Sequence, residues 1–77
     1  MSDIQELAQI RQLLQKRLRN DPQMHIRVDL QRPKLHLENA SVRLTGVYAH
    51  IFQVEAEGKR YTLPYADVLL HRVELLD

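Results

Sequence analysis

The sequence predicts a mainly β fold: a small, partly open SH3-like or Sm-like barrel of about five strands, with an N-terminal α-helix. Three observations lead there. Apolar residues recur at three- and four-residue steps from Ile4 to Leu18, the stripe of an amphipathic helix. From Met24 onward the period falls to two, the alternation of a half-buried strand. Turn formers then divide that alternation into short runs, with Gly46 in the middle of the longest.

The elements follow in order. Ser2-Asp3-Ile4-Gln5 has the spacing of a helix start, with Ser2 as cap and Gln5 three positions on. Ile4, Leu7, Ile10, Leu14 and Leu18 line one face, with Arg11 inside the apolar arc and Leu13 nearly opposite. Asn20-Asp21-Pro22 stops the helix, because a proline disfavours helical geometry in the residue before it. The helix is therefore placed at 3–19 and the barrel at 24–76, in one domain spanning 1–77. Met24, Ile26, Val28 and Leu30 face inward, and His25, Arg27 and Asp29 outward. Gln31-Arg32-Pro33-Lys34 supplies a turn, after which Leu35 and Leu37 resume the pattern. Val42, Leu44, Gly46 and Tyr48 continue it, with Gly46 as the expected bend or bulge. Ile51 to Val54 forms the next strand, Glu57-Gly58-Lys59 a tight hairpin, and Arg60 to Leu63 the return. Pro64 has no amide proton and ends that pairing. Tyr65 to Val68 reads as one helical turn, and Leu70 to Leu76 as a closing strand.

Size and composition narrow the function. Seventy-seven residues lie near the lower limit for an unstapled core, so oligomerisation would be an economical way to bury more surface. With no cysteine, disulfides and thiolate metal sites are excluded. There is no signal-peptide pattern and no run approaching the ~20 apolar residues of a membrane span, so the expected location is the cytoplasm. A formal charge of +1 does not describe a generally electropositive nucleic-acid binder, although the first half is mildly basic and the second mildly acidic.

Few residue sets point to chemistry. His25, His36, His50 and His71 have separations that match no local metal-ligand motif. Ser41 has no neighbouring base or nucleophile turn, and the two glycines make no phosphate-cradling loop. No catalytic residue, metal site or cofactor is expected. The strongest binding candidate is a basic set. Lys16, Arg17 and Arg19 at the helix end, Arg27 on an outward strand position, and Arg32 and Lys34 in the next turn could meet as one phosphate-contacting patch. Tyr48, Phe52, Tyr61 and Tyr65 are the only aromatics, and most are needed in the core, which leaves little for base stacking. Tyr65 is expected to turn its ring inward with its hydroxyl on a polar partner, and Asp67 to accept from free amides of its turn.

One stretch carries a family resemblance. Arg60-Tyr61-Thr62-Leu63-Pro64-Tyr65-Ala66-Asp67-Val68-Leu69, closing through Val73-Glu74-Leu75, resembles the Veg protein family, small cytoplasmic proteins of Gram-positive bacteria. The family's stretch likewise opens on a basic residue, runs through Tyr-Ala-Asp-Ile-Leu and closes on Val-Glu-Leu at the same spacing. Upstream, Tyr48-Ala49-His50-Ile51-Phe52-Gln53-Val54 is similar to the family's Tyr-Pro-Ser-Val-Phe-Val-Ile. The resemblance implies an SH3-like barrel behind a helix, and a regulatory role in stimulating biofilm formation by opposing a transcriptional repressor. Where the family carries Gly-Gly-Arg-Arg-Lys after its first strand, this chain has Gln31-Arg32-Pro33-Lys34, with fewer charges and no glycine. The Glu57-Gly58-Lys59 hairpin is also shorter than the family's. The expected function is that of a non-enzymatic regulatory adaptor that binds another protein. The alternative is a small Sm-like or SH3-like nucleic-acid binder using the basic set. Homo-oligomers are compatible with both.

Overall fold

The helical stripe forms from Leu7 to Leu14, whereas Leu18 at its far end is exposed. In a computed structural model that describes residues 3–31 and 34–76, α1 runs Asp3–Asn20. Its last turn continues far enough for the Asp21 amide to donate to the Arg17 carbonyl at 2.9 Å. Ser2, the expected cap, lies outside the described residues. Leu14 is fully buried, Leu7 and Ile10 pack beside it, and Leu13 is 53% exposed, as its place on the helix wheel requires.

Five strands follow: β1 (Gln23–Gln31), β2 (Lys34–Val47), β3 (Ile51–Ala56), β4 (Lys59–Pro64) and β5 (Val73–Leu75), with the short helix α2 (Tyr65–Leu69) before the last. They form one antiparallel sheet in the order β4-β3-β2-β1-β5. The two outer strands do not pair with each other, so the sheet curls around its core as a partly open barrel. α2 connects the two sides of that seam, and α1 packs on β2 and α2.

The interior repeats the alternation in the sequence. Met24, Ile26, Val28, Val42, Leu44, Phe52, Val54, Leu63, Tyr65 and Val73 are all buried. At ~25 cal/mol per Å² of apolar surface, this cluster dominates the stability of so small a domain. Two irregularities bend the sheet. Between Leu44 and Gly46 the β2–β3 register slips by one, the bulge expected at Gly46. A Cβ at Gly46 would come within 2.7 Å of the Tyr48 ring, so the glycine also makes room for that ring. The second slip, between Ile26 and Val28, sets Glu38 and Asn39 opposite Arg27, and Asn39 takes a φ of 46°. Asparagine tolerates that left-handed geometry better than most residues.

Three expectations are corrected. The closing strand covers only Val73–Leu75, because Leu70 to Arg72 terminate α2. The His71 amide donates to the Val68 carbonyl at 3.2 Å, the Arg72 amide donates to the Asp67 carbonyl at 2.9 Å, and His71 sits at φ 60°. That paired bonding is the Schellman helix stop, with histidine where glycine is usual. Tyr48 leaves the inner face after the Gly46 bulge and is 52% exposed, so it is not a core aromatic. Asp67 faces Arg72 (Nη1 to Oδ1 3.7 Å) and no turn amide.

Candidate functional site

The stretch from Tyr65 onward seals one end of the barrel. Tyr65 follows Pro64 in extended geometry (φ −73°, ψ 143°), and its amide donates to the His50 carbonyl at 3.1 Å. Its ring stacks on Phe52 with centroids 5.7 Å apart and planes 11° from parallel. The hydroxyl donates to the Tyr48 carbonyl at 2.5 Å, the polar partner expected of it. Burial pushes the Tyr65 phenol pKa up from its ordinary value. Val73 is buried, Leu75 half-buried and Ala66 exposed. Glu74 reaches Arg27 across the β5–β1 pair at 2.5 Å, and Arg27 also donates to the His71 carbonyl at 3.2 Å. The hydrogen bond and charge of Arg27 hold the Glu74 carboxyl below its ordinary range. These residues fix the join between the barrel end and its last strand.

The basic set is distributed along the molecule. Lys16, Arg17 and Arg19 stand at the C-terminal end of α1, close to where β1 begins. Arg27 is half-way along β1 in its pair with Glu74. Lys34 stands at the far end of β1, opposite Gln31. Arg32 lies outside the described residues. A nine-residue strand covers about 26 Å from first to last Cα, so its length separates the helix-end cations from Lys34. Arg17 and Lys16 also turn toward different surroundings. Arg17 borders a gap with Leu13, Leu14, Met24 and Leu75, and Lys16 one with Gln12, Gln15 and Arg19.

His25 and His36 project from the outer face of β1 and β2 as the alternation requires, and both are exposed. His36 lies 3.5 Å from Glu38 and 3.9 Å from Asp29. Among the described residues, no three His, Asp or Glu side chains gather as a metal site, and no helix is long and apolar enough to cross a membrane.

A different feature stands out on the surface. Between α1 and α2 runs a cleft of about 440 Å³ lined by Glu6, Gln9, Ile10, Leu13, Val68, Leu69 and His71. Leu13 also borders a second gap of about 290 Å³ that leads along α1 to Leu75. Leu70, next in the chain to the cleft lining, is 59% exposed, and Leu76 is 44% exposed. The sequence marks half of this surface through Leu13, which is out of phase with its helix. It conceals the other half, because Leu70 falls in the stretch expected as the closing strand, which starts only at Val73. Comparison with models of protein families, with curated proteins and with solved structures finds no match.

Proposed function

We propose that this chain is a non-enzymatic adaptor that binds another protein, with the α1–α2 cleft as its contact surface. The observation that carries the reading is an aliphatic strip at the open seam of the barrel. Leu13, more than half exposed, lines the cleft with Ile10, Val68 and Leu69, and the likewise exposed Leu70 lies between the lining residues Leu69 and His71 in the chain. Exposed apolar surface of this kind, rimmed by polar groups such as Glu6, Gln9 and His71, is characteristic of protein contact sites. An amphipathic helix or an apolar side-chain cluster of a regulator fits its chemistry. The Veg resemblance supports the same reading and supplies the class of partner, a transcriptional regulator.

The test is capture from host lysate, nuclease-treated and untreated, by the native chain and by a Leu13→Asp/Leu70→Asp variant. Capture that survives nuclease, varies little with salt and is lost in a variant of unchanged melting temperature supports the adaptor. Capture that disappears with nuclease or weakens steeply with salt moves the function to phosphate contact through the basic set, and the adaptor reading falls.

A further inference from the structure

Among the described residues several strand edges meet no neighbour, and the edges of β4, β5 and β2 are not equivalent. On β4 the hairpin register turns the backbones of Arg60, Thr62 and Pro64 outward, and Pro64 has no N–H to offer. On β5 the strand is only three residues long. The third edge belongs to the first half of β2. Pairing with β3 begins at Arg43, so among the described residues nothing pairs with Lys34–Ser41 on the side away from β1.

The direction of the backbone groups on that edge follows from β5. The Asp29 amide donates to the Arg72 carbonyl at 2.7 Å, and the Leu76 amide donates to the His25 carbonyl at 2.9 Å. Odd-numbered residues of β1 therefore turn their backbones to β5, and even-numbered ones turn theirs to β2. The Leu44 amide, bonded to the Pro22 carbonyl at 2.8 Å, obeys the same parity. Val28 and Leu30 thus bond Leu37 and Leu35, their partners in register. Among the described residues, the N–H and C=O groups of Lys34, His36 and Glu38 meet no strand, and beyond His36–Ser41 lies a gap of about 550 Å³ bordered by Ala56, Glu57 and Tyr61. The straight segment ends at Asn39, where the bulge bends the strand.

We propose that this edge pairs with the same edge of a second copy of this chain, antiparallel about a two-fold axis at His36. That register sets Lys34 opposite the second copy's Glu38, and Glu38 opposite its Lys34, on the exposed outer face. On the inner face it sets Leu35 against Leu37 of the second copy, at the close, non-hydrogen-bonded spacing of an antiparallel pair. Both leucines are only half-buried in one chain, so pairing completes their burial. The two His36 rings meet near the axis, each already beside its own Glu38 and Asp29 carboxylates. The segment is thus complementary to itself in backbone, charge and apolar face, as a two-fold contact requires. The contact is separate from the α1–α2 cleft and does not depend on the adaptor reading.

Charge reversal on the full-length chain tests it. Sedimentation velocity over a wide concentration range reads the dimer constant, and thermal melting checks that each variant folds. The native chain is expected to dimerise. Lys34→Glu and Glu38→Lys each place two like-charged pairs across the axis and are expected to weaken the dimer about tenfold. The double variant restores opposite charges in the same register and is expected to return to native affinity. A native chain that stays monomeric throughout overturns the proposal and leaves the edge to an extended segment of another protein. So does a dimer that is indifferent to the single reversals, or one that the double variant fails to restore.

Discussion

The barrel interior behind Phe52 and the cleft between α1 and α2 both present leucine, isoleucine and valine, yet one is closed to solvent and the other, which also carries Glu6, Gln9 and His71, is open. The interior is closed because two periodicities agree there. Strand alternation supplies Met24, Ile26, Val28, Leu44 and Val54, and the helical stripe supplies Leu14, all of them buried. At the cleft the periodicities do not converge. Leu13 is one position out of phase on α1, and Leu70 lies beyond the end of a five-residue helix, so neither is drawn into the core. Apolar residues left outside by both patterns contribute little to folding.

The largest expected effect breaks the interior. Phe52 is fully buried and stacked on Tyr65, and replacing it with alanine leaves a cavity that neighbours cannot fill. Phe52→Ala should cost about 3–5 kcal/mol in urea denaturation, enough to unfold much of a domain this small. Tyr65→Phe is gentler, because it keeps the ring and removes only the bond to the Tyr48 carbonyl. It should cost about 1 kcal/mol, with the carbonyl left to find water at the exposed Tyr48 turn. Equal losses from the two substitutions would mean that the hydroxyl, rather than ring packing, holds the barrel end.

The cleft should respond in the opposite sense. Leu13→Asp is expected to change stability by no more than about 0.5 kcal/mol, since the side chain is already more than half in solvent. A loss comparable to that of Phe52→Ala would show that the cleft belongs to the core, and the contrast between the regions would disappear.

Much of this architecture is legible in the residues themselves. The stripe from Leu7 to Leu14, the alternation after Met24 and the bulge at Gly46 are all local patterns, and local patterns survive folding, whereas Pro64 stays paired with Ile51 and the Tyr65 amide carries the ladder on to the His50 carbonyl. What the sequence hides depends on geometry over longer distances. Leu70 mimics a strand residue because a Schellman stop with histidine, rather than glycine, at φ 60° carries no compositional signal. Tyr48 looks internal until the register slip at the bulge is known. The basic residues look like one patch because separation along the chain does not show that a full strand lies between Asn20 and Lys34. The free edge of β2 is likewise invisible, since it exists only because β3 is eight residues shorter than its neighbour.

The smallest expected effect lies at the seam where the two regions meet, in the Arg27–Glu74 pair that ties β5 to β1. Both side chains are partly in water, so the pair is worth little in absolute terms. Its sign is nonetheless defined. The Arg27 hydrogen bond and charge hold the Glu74 carboxyl below its ordinary value of 4.5 in the folded chain. The pair's stabilisation is therefore fully present above 4.5, and is lost as pH falls through the folded value and the carboxylate takes up a proton. Glu74→Gln lacks that titration. Its melting temperature should fall slightly below the native one at neutral pH, and the difference should close on acidification below 4.5. A difference that is constant across the range would mean that shape and hydrogen bonding, not charge, hold β5 against β1. A difference that widens in acid would mean that Glu74 is destabilised in the folded chain, and the pair would no longer account for how the seam is joined.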